Sequence, residues 1–470
     1  MSSPLRTAVV RYPYTRRTRT RTASAAARSM DVLKAINSVV LVELVCKLSF
    51  LYTLWGLSVC WGPFLPLWES RELGFSAAQV GQMQAAISVS LLVCAPLFCM
   101  VLDVLGTRRG ELFAAAVMVA RAALHASYLL LPAIGLGTPL RAIAVIGIVL
   151  VAETLRGAGN GVLDVMCLAK LGSARLEYGK IRLWTSLMWG AGAVVIGWVQ
   201  PEPLSSIFLL STFFSAALIA YYAAALSTPR HLAEALPPTT APLAAVGAEA
   251  KPSYWEQLRD FAVQSEWVIW REKSLSELLL LFLVLGTARR AFETFVFLLV
   301  DTLPGGSTSL MGLATLIQTV SELPAYWYFK FLSVKIGTRG VLYVTAACYI
   351  IRALVYSQVT VAWPVLLIEP LHGLTFALLF SNVVVIAAEV APPGLEGTAQ
   401  GVLARGVFEG LGGLAGSVVG GLLFDRSPGL LFGSLVVLVS AMVCIMLAAD
   451  AVRSRARAKP KASLAEPLLR

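Results

Sequence analysis

Leu-Asp-Val-Leu-Gly-Thr-Arg-Arg-Gly, residues 102–110, and Ser-Val-Lys-Ile-Gly-Thr-Arg-Gly, residues 333–340, are two copies of one short sequence. Gly337 follows Gly106 by 231 residues (337 − 106), and this shift aligns both Gly-Thr-Arg triplets. Scattered matches can arise from composition, but a Gly-Thr-Arg triplet in register with other small residues indicates a repeat. The same shift aligns Gly74 with Gly305, Ser76 with Ser307, Gly81 with Gly312 and Arg121 with Arg352.

The composition around this repeat is that of a membrane protein. The chain has 470 residues, of which 57% are hydrophobic and 14% charged, and its mean hydropathy is +0.76. Soluble domains carry about 25% charged residues. The apolar runs, such as 278–285 and 430–449, are continuous, whereas strands of a membrane barrel alternate apolar and polar residues. The solvent is therefore lipid and the spanning elements are helices.

The apolar runs predict an all-α membrane protein with twelve transmembrane helices in two six-helix bundles related by a pseudo-two-fold axis. The predicted spans are 38–65, 77–102, 111–132, 142–169, 182–199, 204–226, 275–300, 309–333, 340–358, 363–388, 397–424 and 429–449. The predicted domains are a basic tail (1–37), an N-terminal bundle (38–226), a linker (227–274), a C-terminal bundle (275–449) and a second basic tail (450–470).

Lysine and arginine lie mainly in alternate loops, in the linker region and in both tails. Positive loops stay in the cytoplasm, so we expect both termini there, with the linker forming an interfacial helix around Trp255, Trp267 and Trp270. The first 30 residues are rich in Arg, Ser and Thr and contain no acid. They fit either an organelle transit peptide or a cytosolic tail, so the plasma membrane and an endomembrane both remain open.

Several classes of function are excluded. The net charge is +11, but the basic residues lie in tails and short loops, which argues against nucleic acid as a partner. The seven cysteines fall mostly within apolar runs and form no CxxC or His-x-Cys cluster, so no metal site is expected. No nucleophile–base constellation or phosphate-binding glycine loop is present, which argues against an enzyme and against a cofactor.

Charged residues inside the predicted spans are the candidate functional groups, because each costs at least about 2.5–3.5 kcal/mol to insert. The fourth span carries Glu153, Arg156, Asn160 and Asp164 at spacings that share one helical face. Arg156 and Asn160 are predicted to line a cavity. The alternative is an ion pair of Glu153 with Arg156 and an anchoring role for Asp164.

The seventh span carries Arg289, Arg290 and Glu293, and the acid can pair with either arginine or serve the substrate pathway. Glu322 lies two residues before Pro324 in the eighth span. Proline removes a helical hydrogen bond, so we expect a bend there that makes Glu322 either a gate or ion site, or part of a structural hydrogen bond.

Glu369, His372 and Arg352 form the second polar set, since Glu369 and His372 are three residues apart on one helix. Histidine changes charge near neutral pH, so this trio is predicted to bind a proton and to face Arg156 and Asn160 across the two halves. His372 is alternatively a core residue, and Arg352 alternatively lies near the outer surface. Three further pairs are expected to be structural: Glu43 with Lys47, Arg121 with His125, and Arg405 with Glu409.

The repeated loop sequence and several other short stretches of the chain resemble the major facilitator superfamily, and within it the lactose-permease-like branch. The acid, glycine and basic pair of Asp103, Gly106, Arg108 and Arg109 match its gating-loop signature, while Val334 stands where the second copy would have an acid. The resemblance therefore implies a stronger latch in the first half. More specific strings are Gly62–Leu67, Tyr178–Trp184, Ser321–Pro324, Glu369–Gly373 and Ala391–Gly401.

The resemblance implies a transporter, and better-known members of the family carry sugars and nucleosides together with protons. Related permeases place an acid and a histidine on this helix in the reverse order. We therefore expect a monomeric, proton-coupled carrier of a small polar solute that works by alternating access. A receptor or scaffold that keeps the fold without transport is the main alternative, and lipid movement is a third if the cavity opens sideways.

Overall fold

The computed structural model describes residues 41–134, 139–171, 178–199, 202–226, 273–390 and 401–458. These ranges are helical apart from short turns and contain no strand. Seven of the described helices are long and apolar enough to cross a membrane. The main elements are α1 (Leu41–Arg71), α2 (Ala77–Ser127), α3 (Pro139–Leu171), α4 (Tyr178–Val199), α5 (Leu204–Ala225), α6 (Lys273–Thr302), α7 (Thr308–Gln358), α8 (365–390), α9 (401–426) and α10 (Pro428–Ala458).

Two of these elements, α2 and α7, are 51 residues long. A straight helix of that length would measure about 77 Å, far more than the hydrocarbon core of about 30 Å. In α7 the chain reverses at Gly337, whose backbone has φ 75° and ψ 161°. Glu322 and Arg352, which precede and follow Gly337 in the chain, both approach His372. The two arms of α7 therefore run side by side.

The sequence repeat has a direct structural counterpart. Helix α2 begins at Ala77 and α7 at Thr308, again 231 residues apart (308 − 77). Each helix is capped by a serine whose side chain accepts from the third helical N–H, Ser76 from Gln79 at 3.3 Å and Ser307 from Leu310 at 3.2 Å. The turns before them use Gly74 and Gly305, both with positive φ, where only glycine fits easily.

The predicted loop between the eighth and ninth spans coincides with the chain reversal at Gly337. The predicted loop between the second and third spans lies within the helical range of α2. Helix α10 continues to Ala458, past the predicted end of the span at 449. Pro324 lies inside α7, where the backbone angles stay helical up to Gly337. The bend expected beside Glu322 stays a prediction.

Irregular backbone lies in α8, at Pro370. The element is divided into Val365–Ile368, Leu371–Gly373, a π-type turn at Leu374–Leu378 and Leu379–Val390. Proline has no N–H to donate, and the amide of His372, two residues later, bonds three residues back to the Glu369 carbonyl at 2.8 Å. The break thus falls between the two candidate proton-binding residues.

Glycines let the two halves of the chain approach closely. Gly81 of α2 lies against Ser417 and Gly421 of α9, and Gly312 of α7 lies against Ala193 of α4. Small residues allow helix backbones to come together in membranes. The glycine-rich stretch of α9 is therefore a packing surface, as the sequence indicated. The predicted linker helix and most of both predicted tails lie outside the described residues.

Candidate functional site

Glu369 of α8 is completely buried and is held by three side chains. Its Oε1 accepts from the Tyr356 hydroxyl at 2.6 Å. Its Oε2 accepts from Gln318 Nε2 at 2.7 Å and from Arg352 Nη2 at 3.1 Å. Donors on both oxygens stabilise the ionised carboxylate in an environment that would otherwise disfavour a charge.

Arg352 connects this carboxylate to His372. Its Nη1 donates to Thr375 Oγ1 at 2.9 Å and lies 3.5 Å from His372 Nδ1, and its guanidinium stacks over the Phe292 ring at 4.7 Å. On the other side of the imidazole, His372 Nε2 is 3.5 Å from Glu322 Oε1. The structure thus brings together the predicted residues Arg352, Glu369, His372 and Glu322, and Arg352 is 2% exposed, away from an outer surface.

A small cavity adjoins this cluster. Arg352 and His372 reach its wall, while Glu369 lies behind Arg352 and is not among the lining residues. Polar and aromatic groups alternate around it. The lining residues are Pro63, Arg289, Phe292, Glu293, Val296, Phe297, Gln318, Tyr349, Arg352, His372, Thr375 and Phe376.

Arg289 and Arg290 share Glu293 but differ in their other partners. Arg289 Nε donates to Glu293 Oε1 at 2.8 Å, and its Nη1 is 3.8 Å from Glu409 Oε1. Arg290 Nη1 is 3.8 Å from Glu293 Oε2, and its Nη2 donates to Gln84 Oε1 of α2 at 2.9 Å. Arg289 and Glu293 therefore form part of the cavity wall, and Arg290 ties the second half of the chain to the first.

The predicted polar stripe on α3 is divided in the structure. Arg156 Nε donates to Glu153 Oε2 at 2.6 Å. Asn160 and Asp164 instead accept from Arg182 of α4, at 2.9 and 3.1 Å. Arg156 and Asn160 are not among the residues that line the cavity beside Arg352 and His372.

Two of the three expected structural pairs can be compared with the structure. Lys47 Nζ lies 2.6 Å from Glu43 Oε1, so that pair is confirmed. Arg121 donates to Ser58 and Ser215 while His125 contacts Glu153, and the structural role expected of these two residues stays a prediction. Both are buried cations or potential cations, and each is better stabilised by a partner on another helix. The side chain of Arg405 lies outside the described residues.

Most of the predicted gating loop cannot be placed at the level of side chains. The side chains of Asp103 and Arg108 and the surroundings of Gly106 lie outside what the structure describes, and Arg109 is exposed. The second copy is clearer. Arg339 donates to Asp450 Oδ2 of α10 at 2.8 Å and also pairs with Glu277 of α6. Acids from two other helices thus pair with Arg339 in place of the carboxylate that is absent at position 334.

Three residues of the cluster were missed by the sequence analysis: Gln318, Tyr356 and Thr375. Each has a local signal. Gln318 lies four residues before Glu322, Tyr356 four after Arg352, and Thr375 three after His372. Residues at these spacings share a helical face, so extending each charged face by one turn would have included them.

A cluster of buried charges beside a polar cavity, in a chain of membrane-length helices, is typical of multi-pass membrane transport proteins. The comparison with known families agrees, since residues 45–433 match the MFS_1 like family. The chain belongs to that family, and hence to the major facilitator superfamily. Its relatives are transporters rather than enzymes.

A maltose permease of Geobacillus stearothermophilus is 25% identical over 393 residues, covering 82% of this chain and 90% of the permease. Among solved structures, the nucleoside transporter NupG has a TM-score of 0.68 at 17% identity, covering 86% of this chain and 99% of NupG. A mutant of NupG has a TM-score of 0.69 at 17% identity, covering 85% and 99%. These likenesses support the fold of the whole described chain.

Proposed function

We propose that this protein is a proton-coupled secondary transporter that moves a small polar solute across a membrane by alternating access. Helix α7 contributes two arms, and counting its repeat counterpart α2 as two spans as well makes twelve from the ten main elements, six up to residue 226 and six from residue 273 onward. Both termini then face the cytoplasm. Solute sites in such repeats lie between the halves near the bilayer midplane.

The observation that carries the proposal is Glu369 beneath Arg352. The carboxylate is shielded from the cavity, while the arginine that pairs with it lies in the cavity wall. A proton on Glu369 removes the charge that holds Arg352. Because an unpaired buried charge is strongly destabilising, Arg352 then favours a solute group or a new partner. Proton binding and solute binding thereby become linked.

The cavity wall suggests the class of solute. Arg289, Arg352 and Gln318 present donors, and Glu293 presents acceptors. Arginine forks bind planar or multiple acceptors. Aromatic rings of Phe292 and Phe376 provide apolar faces between these groups. This combination fits a ring-shaped, hydroxyl-rich molecule, and the named substrates of the relatives, maltose and nucleosides, are of this kind.

Contacts between the halves gather at one end of the helices. Arg71 of α1 pairs with Asp301 of α6, and Ser309 of α7 donates to the Gly197 carbonyl of α4 at 2.9 Å. The backbone N–H of Ala78 donates to Asp425 at 3.1 Å. In the proposed topology this end faces outward, so the structure corresponds to a state closed on the outer side.

The first experiment is a thermal-shift screen of purified protein with maltose and uridine at several pH values. A ligand that binds the folded state raises the unfolding midpoint as its concentration increases. The responding compound is then used in proteoliposomes with an imposed proton gradient. Binding without counterflow in the wild type would favour the receptor alternative.

Glu369→Gln tests the coupling. The amide keeps a hydrogen-bonding group but cannot release a proton at this site, so we expect loss of uphill, pH-driven uptake with counterflow exchange retained. Glu43→Gln is the control, because it alters another paired carboxylate at the start of α1 and should leave uphill uptake intact. Uphill uptake by Glu369→Gln at the wild-type level would assign this acid a structural role.

A further inference from the structure

A second completely buried carboxylate, Glu153 of α3, is not used by the coupling proposed at Glu369. Its Oε1 lies 3.2 Å from Nε2 of His125 on α2, and its Oε2 accepts from Arg156 Nε at 2.6 Å. His125 is also fully buried. A carboxylate and an imidazole in contact are two groups that can exchange a proton.

The arrangement of side chains around Glu153 resembles the arrangement around Glu369. His125 and Tyr356 occupy equivalent positions of the repeat (356 − 125 = 231), and each contacts Oε1 of a buried carboxylate on a following element. In both centres Oε2 is held by an arginine, Arg156 in one and Arg352 in the other. Each half of the chain thus contains one buried carboxylate with an arginine on one oxygen.

Buried polar atoms around Glu153 retain unused hydrogen-bonding capacity. Among the described residues, His125 Nδ1 and Arg121 Nε and Nη1 have no hydrogen-bond partner. Arg121 is four residues before His125 and bonds through Nη2 to Ser58 and Ser215, at 3.2 and 2.6 Å. Buried groups of this kind are nearly always bonded to protein or water, so these atoms can each take a further partner beside the pair.

The charges facing the pair come from several helices. Arg121 of α2 and Arg156 of α3 are the nearby cations, and Tyr128 donates to the Val149 carbonyl at 3.2 Å. Glu69 of α1 interacts electrostatically with Glu153 and is bonded to Gln84, which also binds Arg290 of α6.

Arg156 is the member of the group that can move. Its side chain is 26% exposed, whereas Glu153 and His125 are 0% exposed. With Arg156 in place, Glu153 is a paired carboxylate, and neutral His125 donates to it through Nε2–H. If the guanidinium turned toward a solute or solvent, Glu153 would become an unpaired buried anion, which costs several kcal/mol.

We infer that Glu153 and His125 form a second proton-binding site, controlled by Arg156. When Arg156 leaves Glu153, the pair takes one proton from water, and when Arg156 returns, that proton is released. No other bond forms or breaks. This inference rests on the proposed transport function, and it gives the carrier one proton site in each half.

The sequence contains three histidines, His125, His231 and His372, so ¹⁵N-histidine labelling gives few signals to assign. The test uses full-length protein in nanodiscs, with nitrogen NMR to detect imidazole protonation and infrared spectroscopy to detect a protonated carboxyl. In Arg156→Gln the population carrying the additional proton at neutral pH should rise at least about tenfold. The proton should appear on His125 or as a carboxyl band that Glu153→Gln removes.

Two controls define the outcome. Arg156→Lys keeps the positive charge and should resemble the wild type, and Arg182→Gln removes an arginine that pairs with Asp164 instead and should leave His125 unchanged. Arg156→Met provides a second neutral variant if the Gln variant is not recovered folded. A folded neutral variant without the additional proton would overturn the inference.

The measurement requires no transport, so the two proposals can fail separately. If the additional proton appears but Glu369→Gln remains coupled, the proposed mechanism at Glu369 is rejected and the second site stands. If Glu369→Gln uncouples transport but no proton appears at Glu153 or His125, the second site alone is rejected.

Discussion

The Tyr356 hydroxyl makes the shortest hydrogen bond to the Glu369 carboxylate, at 2.6 Å. It donates to Oε1, whereas Gln318 and Arg352 both donate to Oε2. The phenol is therefore the one observed donor on that oxygen within the described residues. It fixes the orientation in which the other oxygen faces Arg352, so a residue outside the cavity wall positions the arginine that lies in it.

Tyr356→Phe should lower the stability of the folded protein by about 0.6 kcal/mol, the average for side-chain hydrogen bonds between membrane helices, and by no more than about 1.7 kcal/mol, the largest such value. Only the hydroxyl is removed, so packing against Phe432 and Phe292 remains. Thermal unfolding in detergent measures the change. Tyr328→Phe, at an exposed tyrosine, is the control, and an equal midpoint for both variants would contradict the role assigned to Tyr356.

At the scale of elements, the contact between α4 and α7 depends on glycine. A Cβ added to Gly312 would overlap the Ala193 carbonyl oxygen, and one added to Gly197 would overlap that of Thr308. Neither obstacle is a flexible side chain, since both are backbone atoms. The end of α4 and the start of α7 therefore meet only while those positions lack a side chain.

Gly312→Ala should separate α4 from α7 and weaken the closed outer end, because overpacking costs about 1–3 kcal/mol. The reporter is Val296→Cys, a cavity-lining position, labelled in intact cells with a membrane-impermeant maleimide. Labelling should become faster in Gly312→Ala. Gly433→Ala, where no atom lies within 4 Å of an added Cβ, should leave the rate unchanged. Equal rates in both variants would show that this contact does not close the cavity.

At the scale of the whole molecule, the Arg71–Asp301 pair joins α1 to α6 across the two halves. Arg71 is 44% exposed, and ion pairs in such positions contribute about 0–1 kcal/mol. A free-energy difference of this size changes the ratio of two conformational states several-fold but does not by itself determine which state is populated. The pair therefore adjusts the balance between states that glycine packing makes possible.

Arg71→Asp should destabilise the outer-closed state by repulsion from Asp301 and increase labelling of Val296→Cys from outside. The reversed pair Arg71→Asp with Asp301→Arg should restore slow labelling. Lys47→Glu is the matched control, because it reverses a charge whose partner Glu43 lies on the same helix and joins no second element. A double variant that labels as fast as the single one would show that the two residues are not coupled.

Features that depend on local order follow from the sequence. Composition decides that the solvent is lipid, and the 231-residue register indicated a repeat, whose two helices both begin after a serine cap. Neighbours three or four residues apart were also predictable, since Arg156 meets Glu153 and Arg289 meets Glu293. Helical periodicity fixes such pairs because they share one face.

Only the tertiary structure decided which of these faces meet. Gln318 reaches Glu369 from another element, Arg182 takes Asn160 away from the expected cavity, and Arg339 finds its acids on α6 and α10. Periodicity shows which residues share one face of a helix. The rotation of that helix about its axis and its depth in the membrane are set by packing against neighbouring helices. The partners of the buried charges therefore come from how glycine contacts and chain reversals place whole helices.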